Sequence, residues 1–232
     1  MNVLRDSKQH FFNQIYGEYK IANDLAIAQG APKPPGIPLL TESQLRLEQF
    51  ITTTGTQYTF PVLQSAVTPV TTVVQAAEVR LQTNDNFHIR SIGFYLAVTA
   101  AATDTAYRLF TFPDEIALVT VAATLNYMNI YNGNMNINVN QVDVLTNYRL
   151  SQHYLVPQTQ RLSATVNTNY NQVDLQADAV VPLAPSVMLS GAYTNTITIN
   201  LPGAVSSALA SNNSRMVLIF DGLRAQNAAI RK

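Results

Sequence analysis

Most of the chain, from about residue 41 onward, alternates between apolar and polar residues. Successive side chains of an extended strand point to opposite faces, so this alternation predicts strands with one buried and one exposed face. Clusters of Asn, Gly, Pro and Asp between these stretches indicate turns, and Asn132-Gly133 predicts a hairpin joining residues 127–131 to 135–139. The clearest alternating stretches are residues 78–81, 87–90, 135–140 and 196–201.

The N-terminal residues follow a helical period instead. Large apolar side chains return at spacings of three and four residues, which predicts an amphipathic helix over residues 3–29. Gly30 suits the position that ends a helix, and the Pro-rich residues 31–38 cannot continue it, so we expect a stiff, extended connector there. The apolar side of the predicted helix consists of Leu4, Phe11, Phe12, Ile15, Tyr16 and Tyr19.

The length of the alternating region sets the expected number of strands. A strand of about 5–6 residues with a connection of about 4–5 uses roughly 10 residues, so residues 41–224 have room for on the order of 16 strands. That number suits two eight-stranded jelly-roll sandwiches in tandem, or one sandwich with very long loops. We therefore expect a mainly β chain with three parts: residues 1–40 as the N-terminal helix and connector, 41–145 as a first jelly roll, and 146–232 as a second jelly roll with a C-terminal tail.

Charge is scarce, which excludes several classes of protein. Charged residues make up 12% of the chain, and 14 Lys and Arg balance 14 Asp and Glu. A neutral chain is poorly suited to neutralising phosphates, so we expect no strong direct binding of nucleic acid. The 47% hydrophobic content argues against disorder, and the absence of Cys excludes a disulfide scaffold. We also expect neither a signal peptide nor a membrane-spanning helix.

No group of residues has the spacing of a catalytic or metal site. His10, His88 and His153 lie far apart in the sequence, and without Cys a zinc site would need distant His and carboxylates to converge. His88 alternates with Phe87 and Ile89, so we expect it on the solvent side of a strand. The serine-hydrolase and P-loop motifs are missing. We therefore expect no enzymatic activity, no cofactor and no bound metal.

Two polar clusters have simple structural interpretations. Residues 84–86, Asn-Asp-Asn, lack the spacing and the distal Glu of a calcium loop, so they predict a turn. Arg224, Arg231 and Lys232 form a small basic cluster near the C-terminus. Such a short cluster predicts a solvated tail rather than an arm that binds DNA.

The predicted helix carries the functional hypothesis that the residues themselves support. Burying about six large apolar side chains is worth on the order of 10–15 kcal/mol. The helix can pack on a sheet of its own barrel, or the connector can hold it away from the barrel, facing a membrane or neighbouring subunits. Phe11, Phe12, Tyr16 and Tyr19 suit a boundary between apolar and wet surroundings, whereas weak basicity argues against strong attraction to anionic lipid.

Three stretches carry a resemblance to a known family: residues 87–96 (FHIRSIGFYL), 154–157 (YLVP) and 215–224 (RMVLIFDGLR). With a diffuse pattern over most of the chain, they resemble capsid proteins of small tailless bacteriophages, above all the double jelly-roll major capsid protein of finnlakevirus-type phages. These single-stranded DNA viruses have a membrane beneath the shell and belong to the adenovirus-like capsid lineage. The chain is shorter than many members, so either its barrels are minimal or the doubling is wrong.

The resemblance implies a structural major capsid protein of the virion, assembled in the host cytoplasm. Two barrels per subunit would give a homotrimer with a pseudo-hexagonal outline. This trimer would contact neighbouring capsomers and other virion proteins, such as a penton or spike, in an icosahedral shell. The N-terminal helix would point inward, toward an internal membrane, and that lipid layer would explain why the chain needs no basic inner face.

Two alternatives stay open. A single jelly-roll shell or decoration protein of a phage head would have one barrel with long loops. A receptor- or carbohydrate-binding β-sandwich of a spike or fibre would need an exposed aromatic platform or a metal. The absence of Trp argues against a platform that stacks on sugars.

Overall fold

The computed structural model describes residues 3–30, 36–52, 54–64, 78–97, 109–111, 128–155, 180–205 and 214–229, with side chains from residue 7 onward. One long helix, α1, spans Val3–Ala28. Nine strands follow it in these ranges: β1 Leu40–Phe50, β2 Gln57–Pro61, β3 Asn86–Ala97, β4 Leu109–Phe110, β5 Asn134–Val139, β6 Val142–Arg149, β7 Val180–Ser190, β8 Asn195–Asn200 and β9 Arg215–Ala225. Residues 128–131 form one helical turn, and Leu150–His153 form a 3-10 turn.

The strands form two antiparallel sheets. The first sheet has the order β1-β9-β3-β7, with the short β4 pairing with the far end of β3. The second sheet has the order β2-β8-β5-β6. If β4 is left out and the other eight strands are renumbered along the chain, the first sheet has the order 1-8-3-6 and the second sheet has the order 2-7-4-5. This is the strand arrangement of a jelly roll, in which two Greek keys share a pair of sheets.

The prediction of a mainly β chain with one N-terminal helix is confirmed, and the described strands complete one jelly-roll barrel. The predicted boundary between residues 145 and 146 lies inside β6, and both sheets combine strands from the two predicted ranges. A strand count does not report which strands pair, and pairs such as β1 with β9 join the two predicted ranges in one sheet.

The main hydrophobic core lies between the two sheets. In β5 and β8 alternate side chains are buried, which confirms the alternation read from these two segments. Met135 and Ile137 of β5 join Ile197 and Ile199 of β8 in the core, together with the inward side chains of the first sheet. The core cluster contains no side chain of α1, so the barrel and the helix bury separate apolar surfaces.

The hairpin predicted at Asn132-Gly133 is wrong. Residues 128–131 form a helical turn there instead of a strand. The hairpin joins β5 to β6 through Asn140 and Gln141, whose φ angles are 51° and 67°. Two successive positive φ angles are typical of a type I′ turn, which usually carries Gly at its second position. Because Gln stands there, the sequence signal was missed.

Candidate functional site

Helix α1 lies on the outer face of the first sheet. Of the six residues predicted for its apolar side, Phe11 and Ile15 are buried, Phe12 and Tyr19 are half-buried, and Tyr16 is exposed, while the side chain of Leu4 lies outside the described residues. The helix therefore packs on its own barrel along this stretch. The contact is a small cluster separate from the core, formed by Phe11, Phe12, Ile15 and Tyr19 with Leu40 of β1 and Leu223 of β9.

A polar contact adjoins this apolar cluster. The hydroxyl oxygen of Tyr19 lies 2.9 Å from His88 Nε2 and accepts a hydrogen bond from Asn86 Nδ2 at 3.3 Å. The direction of the Tyr19–His88 hydrogen bond follows the tautomer of the ring. With the proton on Nδ1 the Tyr19 hydroxyl donates to Nε2, and with the proton on Nε2 the ring donates to the hydroxyl oxygen. The two rings also meet edge to face. This contact ties the middle of α1 to the start of β3.

His88 is only 4% exposed, so the expectation of a solvent-side histidine is wrong. Its side chain does point away from the core, but α1 covers that face of β3. Burial lowers the pKa of His88 to about 4, because the charged imidazolium would lose its hydration. Burial likewise raises the pKa of Tyr19, partly offset by the hydrogen bond from Asn86. Both side chains are therefore neutral at pH 7.

Ion pairs fix α1 and the neighbouring strands farther along the same face. Lys8 Nζ of α1 lies 3.0 Å from Glu42 Oε1 of β1, and Arg90 Nη1 of β3 lies 3.3 Å from the same oxygen. The hydrogen bond from Lys8 is the main cause that lowers the pKa of Glu42. The Lys8 and Glu42 side chains are both exposed, so these pairs orient the helix more than they stabilise it.

Asp85 joins the turn before β3 to the end of β9. Its carboxylate accepts hydrogen bonds from Arg224 Nε at 2.5 Å and from the backbone N–H of Asn227 at 2.8 Å. The turn predicted at residues 84–86 leads directly into β3. Arg224, by contrast, belongs to β9 rather than to a solvated tail, whereas Arg231 and Lys232 lie outside the described residues. Sequence reasoning missed the pair of Asp85 and Arg224 because the two residues stand 139 positions apart in the sequence.

A second charged cluster is buried where β1 and β9 reach the other end of the first sheet. Arg215 Nη1 lies 3.5 Å from Glu48 Oε2, and both side chains are fully buried. Arg46 Nε donates to Glu48 Oε1 at 2.8 Å, and the Arg215 guanidinium lies 4.9 Å from the centre of the Phe50 ring. Each carboxylate oxygen of Glu48 faces an arginine, so this cluster has the chemistry of a structural ion-pair network rather than of an acid or base.

The exposed large apolar side chains fall mainly into two groups. The first, called the helix patch, consists of exposed apolar side chains on α1 and on the chain that enters β1. Helical geometry puts Tyr16 and Ile27 on one flank of α1 and Ile21 and Leu25 on the other. Ile21 and Leu25 in this patch are 62% and 56% exposed, although both are large aliphatic side chains. The helix patch consists of Tyr16, Ile21, Leu25, Ile27, Ile37 and Leu39.

The second group, called the edge patch, lies beside β6 and β7, which are outer strands of the two sheets in the described part of the chain. Here a groove of about 400 Å³ runs between the β5–β6 hairpin and β7, and no charged side chain is among its lining residues. The exposed members of the edge patch are Val142 and Val144 of β6, Met188 of β7, and Tyr193 in the turn before β8.

The described residues bring together no catalytic constellation. His10 is exposed on α1, whereas His88 and His153 are buried, and His153 Nε2 lies 3.0 Å from the Tyr148 hydroxyl. Within the described ranges, no three His, Asp or Glu side chains come together as a metal site. Among the same residues, α1 included, no helix has the length and apolar character needed to cross a membrane.

Comparison with known proteins gives no match for this chain. No protein-family model, no curated protein and no solved structure is significantly similar to it. The resemblance to phage capsid proteins, and the homotrimer, virion location and internal membrane that it implies, therefore stay predictions.

Proposed function

We propose that this chain is a structural subunit of a protein shell, a viral capsid protein that assembles with further copies of itself. The observation that carries the proposal is the edge patch, an exposed apolar groove without a charged lining residue, on a barrel with the strand order of a jelly roll. Contiguous apolar surfaces on a folded domain are typical of interaction sites. The exposed apolar side chains of α1 give the subunit a second, different surface, which suits head-to-tail contacts that build rings and closed shells when the geometry closes.

The distribution of charge supports the same proposal. The buried charged groups of the first sheet are already paired within the subunit, as with Glu48 and Arg215. The edge patch has no charged lining residue, so contact with another copy would bury no unpaired ion. A balanced chain with 14 basic and 14 acidic residues also avoids strong repulsion between many identical subunits.

The strand arrangement favours the single jelly-roll version of this proposal. A double jelly-roll subunit would form a homotrimer with a pseudo-hexagonal outline, whereas a single jelly-roll subunit would need six copies for the same outline. The nine described strands supply one barrel, with members from both halves of the chain. In either version the proposed partners are neighbouring subunits and other virion proteins, and the helix patch is the surface that would face the interior or lipid.

A receptor- or carbohydrate-binding role receives less support. Such a role needs neighbouring aromatic rings on the surface. The exposed tyrosines of the described residues are Tyr16, Tyr154 and Tyr193, which lie on α1, after the 3-10 turn and in the β7–β8 turn. They come from three separate elements and show no contact with one another in these ranges.

Light scattering after size exclusion tests the proposal on the full chain. We expect assemblies well above the 25.5 kDa mass of one chain. The double variants Val142→Asp/Val144→Asp and Ile21→Asp/Leu25→Asp place charges in the edge patch and the helix patch, and each should raise the assembly concentration at least about tenfold. Gln57→Asp/Thr59→Asp, on the exposed side of β2, adds the same charge outside both patches and should assemble normally.

Two results would contradict the shell proposal. One is a wild-type chain that stays monomeric at high micromolar concentration. The other is normal assembly of both patch variants, since the interface would then lie elsewhere. Circular dichroism on every variant separates lost assembly from lost folding.

A further inference from the structure

We propose that helix α1 is a detachable arm of the subunit and that the neutral imidazole of His88 is the latch that keeps it on the barrel. Protonation of this ring would release the helix while the barrel stays folded. The inference concerns the isolated subunit, and it stands or falls independently of shell assembly.

The packing of α1 permits its release. The helix buries its side chains in a small cluster with Leu40 and Leu223, and none of the side chains described from residue 7 onward reaches the core between the sheets. The helix also extends beyond this cluster, where Ile21 and Leu25 are exposed. Detachment therefore breaks one limited contact surface and leaves the jelly-roll core intact.

The hydrogen bonding at His88 explains why its charge state controls the contact. In the neutral tautomer that carries its proton on Nδ1, Nε2 accepts from the Tyr19 hydroxyl, whose oxygen accepts from Asn86. A proton on Nε2 would turn this acceptor into a donor facing an oxygen that already accepts a hydrogen bond. The new positive charge would also be buried. Release of α1 returns the imidazolium to water, so protonation favours the released state.

In the described part of the chain, no carboxylate compensates this charge. On α1, Glu18 and Lys20 flank Tyr19 and are both exposed. On β9, Leu223 stands opposite His88, and the neighbouring Arg224 is paired with Asp85. Asp221, two residues before Leu223 on the same face, stands opposite Ser91 and accepts a hydrogen bond from Gln44 of β1.

The other two strands at this face supply no free anion either. On β7, Met188 stands opposite His88, and that strand contains no titratable residue. On β3 itself, Arg90 follows along the same face and is paired with Glu42 of β1, which also binds Lys8. Burial alone accounts for the lowered pKa of His88.

The sign of the pH dependence follows from the two states of His88. Its pKa is about 4 with α1 in place, against an ordinary value of 6.5. The released state therefore binds the proton more tightly, and attachment weakens as the pH falls from 6.5 toward 4. We expect the equilibrium constant for attachment to fall about 20-fold between pH 7 and pH 5. Glu42 has a lowered pKa, so its pair with Lys8 stays ionised over this range.

Hydrogen exchange of backbone amides in the full chain measures this opening even when the released state is rare. After correction for the intrinsic exchange rate, protection of the α1 amides should fall about 20-fold from pH 7 to pH 5. Protection of the β5 and β8 amides should stay constant. In His88→Gln the protection of α1 should be the same at pH 7 and pH 5, because the side-chain amide of Gln cannot take up a proton.

Two further variants complete the experiment. His10→Gln removes an exposed histidine of α1 and should keep the full pH response. Tyr19→Phe should lower α1 protection already at pH 7 and retain the response, since His88 is still buried. The proposal is overturned by an unchanged α1 protection at pH 5, by a response that persists in His88→Gln, or by a parallel loss of protection in β5 and β8.

Discussion

At the scale of single residues, one glycine sets how closely the central strands of the first sheet approach. Gly222 of β9 stands opposite Ile89 of β3, next to a register shift between Ile89 and Ser91. A Cβ atom at Gly222 would overlap the backbone carbonyl oxygen of His88. The extra residue in β3 and the missing side chain in β9 thus belong to one bulge, which a larger residue would disrupt.

We expect Gly222→Ala to lower the free energy of unfolding by about 3 kcal/mol, because backbone atoms must move apart to admit the methyl group. Gly17→Ala is the matched control. A Cβ at Gly17 meets no atom within 4 Å, and this glycine lies inside α1, so alanine there should raise stability by up to about 1 kcal/mol. Urea unfolding of both variants measures the difference, and equal effects of the two changes would refute this account.

The burial of a single residue could be predicted from the sequence only where one face of its strand packs in the core and the other face lies in solvent. Ile197 and Ile199 were predicted as buried because the alternation reports which residues share a face. The same alternation placed His88 in solvent, because it says nothing about which element covers the second face. The pair of Asp85 and Arg224 was missed for a related reason, since only strand pairing brings these two residues together.

At the scale of elements, local signals predicted α1 well. The expected range, residues 3–29, agrees with the observed Val3–Ala28, and Gly30 has a φ of 71°. The N–H of Gly30 donates to the carbonyl of Ile27, as at a helix end. Helix periodicity and a terminal glycine are local signals, because they depend on residues only a few positions apart. The surface that covers the apolar side of the helix depends on the whole chain, so the sequence left open whether the helix packs on its own barrel or is held away from it.

Deletion of residues 1–30 should leave a folded barrel, because the core between the sheets contains no α1 side chain. The far-ultraviolet circular dichroism should lose its helical part and keep its β signal, with one cooperative thermal transition only a few degrees lower. Phe94→Ala, which opens a cavity in the core, should be more damaging, at about 3–5 kcal/mol. Loss of the cooperative transition in the deletion variant would show that α1 is part of the core.

At the scale of the whole molecule, the sequence predicted the class of fold but not its topology. Alternation and turn residues indicated many strands, and dividing the chain by an average strand and connection suggested two barrels. Each of the two described sheets instead takes strands from both predicted ranges. The order of strands in each sheet depends on pairings such as Gln57 with Asn200, which no local pattern reports.

Assembly of the proposed shell subunit should depend little on salt. The edge patch has no charged lining residue, so screening has no ion pair to weaken there. We expect the assembly concentration to change less than about threefold between 0.05 and 0.5 M NaCl, whereas sodium sulfate should promote assembly by strengthening apolar contacts. Light scattering over a salt series measures this, and a tenfold weakening by NaCl would point to charged interfaces instead.

The pairing of β1 with β9 also bears on how the protein is made. The two strands pair along 11 residues, from Leu40 opposite Ala225 to Phe50 opposite Arg215, and β9 also forms the other neighbour of β3. On the ribosome, β1 and β3 must therefore wait for β9 before the first sheet can close as described. Such distant pairing makes folding slow and exposes unfinished chains. A chain truncated before β9 would lack the strand that joins β1 to β3, so it would leave the apolar side chains of β1 without the partners that cover them.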